Sequence, residues 1–126
     1  MNIFILVLAA VAVIAFVLFQ RIGGAPVSVI RSCLRDGGLV IDVRTEREFE
    51  GGHHPQAINV PVAVLSAEIA QRVPDKNTPL LLHCASGGRS SFGRRMLLQQ
   101  GYTRVYNLGS YSQAGKILAE ASGDTN

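Results

Sequence analysis

The chain opens on an unbroken apolar run from Ile3 to Phe19, free of charge, proline and glycine, and then changes character. At 1.5 Å per residue this run covers about 25 Å, and residues 1–22 together reach roughly the 30 Å of a hydrocarbon core. The pattern predicts a transmembrane helix over residues 1–22. A cleaved signal peptide fits less well, because no Lys or Arg precedes the run, the run exceeds an h-region of about 7 to 15 residues, and Pro26 follows Gly23-Gly24-Ala25. Arg21, Arg31 and Arg35 lie after the run, so the positive-inside rule places the remaining chain in the cytoplasm. The expectation is a single-pass protein of a bacterial inner membrane. Were the segment a signal peptide, the domain would be periplasmic.

Beyond a linker at residues 23–26, apolar residues come in short bursts separated by turn-formers. Ser28 can cap a helix that carries Ile30, Cys33 and Leu34 on one face, stopped by Asp36-Gly37-Gly38. Leu39 to Val43 is a β-branched strand, and Thr45-Glu46-Arg47-Glu48 is a capping box opening a short helix closed by Gly51-Gly52. Ala57 to Val60 is a second strand, and Ser66 starts a helix with Ile69 and Val73, followed by a turn at residues 74–77. Pro79 to Cys84 is the most apolar strand of the domain. A helix from about Arg89 to Gln100 follows, with Phe92, Met96 and Leu97 on one stripe and Gly101 at its end. A strand at residues 104–108 and a helix at 113–121 complete the series, and residues 122–126 read as a disordered tail. Strands alternating with helices predict an α/β domain over residues 27–121, three layers deep, with a mainly parallel sheet covered on both faces. Sites on such sheets gather at the C-terminal ends of the strands.

The 126 residues allow one domain of ordinary size beyond the first segment. The net charge of +3 is small and the arginines are scattered, which excludes a nucleic-acid footprint. Two cysteines without zinc-ligand spacing leave a free reactive thiol open to consideration.

That thiol stands in Leu80 to Ser91, LLLHCASGGRSS. An apolar strand delivers Cys84 to its C-terminal end, and Gly87 and Gly88 let the loop curl so that backbone N–H groups point inward. The N-terminus of the next helix adds the positive end of its dipole. Such an anion nest favours the thiolate of Cys84 over a thiol of pKa about 8.5. Arg89 can add a bidentate clamp for a sulfonate or phosphate, and Ser86 and Ser90 can add hydroxyl donors. His83 and Cys84, as strand neighbours, point to opposite faces and do not suggest a shared metal. Cys33 reads as a small core residue, Asp42 as a structural acceptor tying neighbouring loops, His53 as a ring fixing the loop by hydrogen bonds, and Arg94 and Arg95 as a solvated helix face. Arg44 can widen the positive field at the mouth or be a plain surface charge.

These residues resemble the single-domain rhodanese family. The Cys-x-x-Gly-x-Arg-Ser loop matches at Cys84, Gly87, Arg89 and Ser90. Upstream elements match at Asp42, Arg44, Glu48, Gly52, His53, Ala57, Ile58, Asn59 and Pro61. The resemblance implies the rhodanese α/β fold and thiosulfate sulfurtransferase-like chemistry, without metal or cofactor. A donor such as thiosulfate or a persulfide would pass a sulfane sulfur to Cys84, and the resulting persulfide would pass it to cyanide, a thiol or a protein acceptor. Amides from Ala85, Ser86, Gly87, Gly88, Arg89 and Ser90 would hold the persulfide, and Arg89 would bind the donor's sulfonate. The alternatives are a membrane-tethered sulfur carrier or protein-binding module and, more remotely, a phosphatase, whose loop is one residue longer than the four residues between Cys84 and Arg89. His54 and Gln56 depart from the family pattern, as does Ser110-Tyr111-Ser112-Gln113 after Gly109. These departures bear on acceptor recognition.

Overall fold

In a computed structural model, which describes residues 2–22 and 25–123, helices and strands alternate as the pattern predicts. Helix α1 spans Ile3–Ile22 and α2 Val27–Arg35; β1 is Leu39–Asp42, α3 Glu46–Glu50 and β2 Ala57–Asn59. A single 3-10 turn, Val62–Val64, leads into α4 at Leu65–Arg72. Then come β3 at Leu80–His83, α5 at Gly88–Gln99, β4 at Val105–Gly109 and α6 at Tyr111–Ser122. The four strands pair in parallel in the order β2-β1-β3-β4.

Pleating divides the core into two layers. Ile41, Leu80, Leu82 and Cys84 face α4 and α5 together with Leu65, Ile69 and Leu97. Val40 and Leu81 face α2 and α6 together with Ile30, Cys33, Ala114 and Leu118. The central strands β1 and β3 bury residues on both faces, which explains why they read as continuous apolar runs. Beside them β4 bulges: Leu82 pairs with Asn107 but His83 pairs with Gly109, leaving Leu108 as the extra residue.

Several local expectations change. Pro26, not Ser28, caps α2, and its carbonyl accepts the first amides of the helix. Ser66 is already inside α4 and bonds Gln100, the residue that caps α5. Phe92 is 55% exposed, and the face of α5 that meets the sheet is built on Ser90, Gly93 and Leu97. A Cβ at Gly93 would stand 2.8 Å from Leu65 and 3.1 Å from Leu82, so only glycine lets the helix approach this closely. Arg94 is half-buried and gives its Nε to the Val105 carbonyl of the edge strand. Helix α6 begins at Tyr111 on a second capping box, Ser110 with Gln113. It runs through Ser122, where a tail was expected; residues 124–126 of that tail and residues 23–24 of the linker lie outside the described residues.

The largest correction concerns α1. Its apolar side chains as far as Leu18 are exposed, as for Phe4 at 73% and Phe16 at 60%. Yet among the described residues no helix is long and apolar enough to cross a membrane. The expected transmembrane anchor over residues 1–22, the inner-membrane localisation with its cytoplasmic orientation, and the periplasmic alternative are therefore set aside.

Candidate active site

Strand β3 ends at His83, and Cys84 follows it, fully buried on the same face as Leu80 and Leu82. The bulge in β4 brings the Gly109 carbonyl to the Cys84 amide at 3.2 Å, so the cysteine is pinned to the sheet before the chain turns. Gly87 then takes φ +100°, a left-handed conformation that costs an L-residue roughly 1 to 2 kcal/mol. This turn points the Gly87 amide at the Cys84 sulfur, 2.9 Å away. Gly88 needs no such freedom: its φ is not positive, a Cβ there would meet nothing, and it is the first residue of α5.

Burial alone would push the Cys84 thiol up. Hydrogen bonds from the Ser90 hydroxyl and from the amides of Ser90, Gly87 and Ser86 outweigh it and hold the thiol below its ordinary range. The loop is also braced from behind. Ser86 bridges to Ser110, and the Ala85 carbonyl accepts the Tyr111 amide.

One contributor escaped the sequence reading. Asn107 of β4 donates its side-chain amide to the Gly87 carbonyl at 3.2 Å, and its Oδ1 accepts the Gly109 amide at 2.9 Å and the Ser90 hydroxyl at 2.7 Å. It therefore ties the glycine turn, the helix start and the last strand to one side chain. Its sequence signal was an amide set in the otherwise apolar strand VYNL, on the face shared with Cys84.

The arginines are engaged with carboxylates. Arg89 donates Nη1 and Nη2 to Oε1 and Oε2 of Glu48 at 2.7 and 3.0 Å. Arg89, helped first by Thr45 backbone bonding, holds the Glu48 carboxyl down to about 2. Arg44 is buried, grips Asp42 with Nε and Nη2, and donates Nη2 to the Gly52 carbonyl at 2.8 Å. Asp42 also accepts the Arg44 amide, while Asn59 donates to the carbonyls of Asp42 and Arg44. This cluster fixes the β1–α3 and β2 connections behind the loop. His53 stacks on Phe49 and donates Nδ1 to the Phe49 carbonyl at 2.8 Å, so it supports the end of the preceding helix α3. His83 lies on the opposite face from Cys84, with Nε2 buried and unpartnered, 3.8 Å from Asp42. Desolvation pushes its pKa down.

Two of the departures from the family pattern, His54 and Tyr111, meet in space. His54 stacks on Tyr111 at 4.2 Å between ring centroids and donates Nε2 to the Tyr111 carbonyl. The Arg44 guanidinium sits 4.7 Å from the centre of the same Tyr111 ring. A Cβ at Gly115 would lie 2.8 Å from the His54 ring, so that glycine makes room for it.

Comparison with known proteins points one way. The rhodanese-like domain family matches residues 28–114. The chain is similar to thiosulfate sulfurtransferase PspE of Escherichia coli strain K12, 38% identical over 69 residues, which are 55% of this chain and 66% of PspE. It thus spans just under two thirds of that relative's length. Thiosulfate sulfurtransferase 16, chloroplastic, of Arabidopsis thaliana is 35% identical over 101 residues, 71% of this chain and 84% of that protein. Among solved structures, the rhodanese with anions from E. coli superposes with a TM-score of 0.58 at 34% identity, covering 60% of this chain and 89% of that one.

Proposed function

This chain belongs to the rhodanese-like domain family, and on that footing we propose that it is a rhodanese-type sulfurtransferase working through a persulfide on Cys84. The observation that carries the reading is the Gly87 amide 2.9 Å from a buried cysteine sulfur whose pKa is held low by loop donors. Such a sulfur is a thiolate in waiting, and a buried thiolate without a substrate role would be a costly feature.

The proposed cycle has two displacements. The Cys84 thiolate attacks the sulfane sulfur of a donor such as thiosulfate or an organic persulfide. The donor's S–S bond breaks, and sulfite or a thiolate leaves with the electron pair. In the second step an acceptor, cyanide or a thiol, attacks the outer sulfur of the Cys84 persulfide, and the Cys84 thiolate departs as leaving group. In this reading the loop amides of residues 85–90, of which those of Ser86, Gly87 and Ser90 bond the Cys84 sulfur, stabilise the anionic terminal sulfur in between. Ser90 and Gly87 hold the inner sulfur, and Asp42, Arg44 and Asn107 keep the surrounding loops in place.

A sulfur carrier makes the same two displacements, with the thiol of a partner protein as acceptor, and shares all of this geometry. A phosphatase is disfavoured, because only four residues separate Cys84 from Arg89 and Arg89 is committed to Glu48. Release of thiocyanate from cyanide and a sulfane donor, compared with Cys84→Ser, tests turnover. Release by the unsubstituted protein alone supports an enzyme, and its absence from both would overturn the enzyme reading.

A further inference from the structure

Among the described residues one buried side-chain polar atom has no hydrogen-bond partner, Nε2 of His83. Such orphans are uncommon, and each calls for a reason. The ring stands between two acceptors: Nδ1 is 3.4 Å from the Cys84 carbonyl and Nε2 is 3.8 Å from Asp42 Oδ2. A neutral imidazole carries one proton, so in either tautomer one nitrogen turns a lone pair toward an oxygen. The shorter contact assigns the proton to Nδ1 and leaves Nε2 bare before the carboxylate. Only the doubly protonated ring offers both oxygens a donor. Three other groups surround it. Arg44 shares Asp42, His54 from the α3–β2 connection lies edge-on at 5.3 Å between ring centroids, and Tyr111 of α6 lies at 6.0 Å. Full burial opposes a second proton and pushes the pKa down, while Asp42 draws the proton in.

The contact with Cys84 reaches the site through one peptide unit. A trans peptide sets its N–H opposite its C=O. The Cys84 carbonyl is drawn toward His83, whose ring lies on the other face of the sheet from the sulfur, so the Ala85 amide turns to the sulfur side. That is where the outer sulfur of a persulfide would carry its charge. We propose that His83 is a proton-linked positioning residue: it holds the Cys84 carbonyl so that the Ala85 amide serves the persulfide, and a second proton, taken from solvent on Nε2, bridges that carbonyl to Asp42 and tightens the hold. The inference rests on the Cys84 persulfide reading for its purpose, though not for the proton uptake.

Imidazole nitrogen NMR of the full chain reads the ring directly, with His83→Asn to assign its signals. The expected result is the Nδ1–H tautomer at about pH 8 and proton uptake on Nε2 below the ordinary 6.5, before about pH 4.5. An Nε2–H tautomer at pH 8, or a ring still neutral at pH 4.5, overturns the proposal. Turnover of thiosulfate with cyanide gives the second readout, taken as ratios of kcat/KM between chains so that the ionisation of cyanide cancels. Asparagine places an amide nitrogen where Nδ1 stands but takes no proton, and leucine offers no donor. At pH 8 His83→Leu should lose about fivefold and His83→Asn should recover most of it. Toward pH 5.5 the unsubstituted chain should gain about fivefold on His83→Asn, because a charged donor bonds about twice as strongly. Equal losses in the two variants, or a ratio to His83→Asn that does not move with pH, would mark a merely structural ring and overturn the proposal. Failure of the sulfurtransferase reading looks different, since then no chain turns over at any pH while the ring still titrates as described.

Discussion

The Ser90 hydroxyl donates to Asn107 Oδ1 at 2.7 Å while its oxygen stands 3.4 Å from the Cys84 sulfur. A hydroxyl has one proton to give, so the amide, the sulfur and the Gly87 carbonyl at 3.2 Å compete for it. Ionisation of Cys84 strengthens the sulfur as an acceptor and draws that proton over by rotation of one bond. The two residues should therefore separate under mutation. Ser90→Ala is expected to slow alkylation of Cys84 by iodoacetamide at pH 7 about tenfold and to shift its pH profile upward, because a hydrogen bond to a charged group is worth about 1.5 to 3 kcal/mol. Asn107→Ala also leaves the Gly87 carbonyl and Gly109 amide without their partner. Its mark should be a stability loss of about 1 to 3 kcal/mol in urea unfolding.

The glycine pair gives a second contrast. Only Gly87 takes a left-handed φ, while Gly88 is an ordinary helical residue with open space around it. Gly87→Ala should lose about 1 to 2 kcal/mol and turn its amide from the sulfur. Gly88→Ala should melt at the same temperature or slightly higher, since alanine is the better helix former by roughly 1 kcal/mol. Thermal melts of the two variants check this, and equal losses would mean that the turn is not where the strain lies.

Acid should report the Glu48–Arg89 pair. The Glu48 carboxyl is held down to about 2 from an ordinary 4.5, so its contribution to stability is present above 4.5 and is lost as pH falls toward 2. In Arg89→Gln the carboxyl loses the larger of its two supports, and its titration should move up toward 4.5. Carboxyl-carbon NMR across pH 2 to 6 follows it directly, and a carboxyl unmoved by that substitution would show that Thr45 alone holds it.

Much of this architecture is legible in the sequence because local signals and burial agree. Leu80 to Leu82 could only be a strand buried on both faces, and Thr45 with Glu48 spelled a capping box that forms with both of its bonds. The cysteine loop announced itself by composition. What escaped depends on contacts between distant residues. Phe92 fits a helical stripe by spacing, but the stripe that faces the sheet passes through Gly93, because α5 approaches Leu65 and Leu82 too closely for a side chain. Asn107 has no local motif; its part follows from the β4 bulge that sets it beside Gly87 and Ser90. Arg44 and Arg89 are charges whose partners only the fold selects. The first segment reads as an anchor from its apolar run and its length, whereas among the described residues no helix is long and apolar enough to cross a membrane.

The central claim is that Cys84 accepts a sulfur atom. Intact-mass spectrometry of the protein after incubation with thiosulfate, and in parallel with an alkyl persulfide, tests it most directly against Cys84→Ala. The account predicts the gain of one sulfur on the unsubstituted protein from at least one donor, reversed by cyanide with release of thiocyanate, and no gain on Cys84→Ala. No added sulfur from either donor, or the same addition to Cys84→Ala, would contradict it.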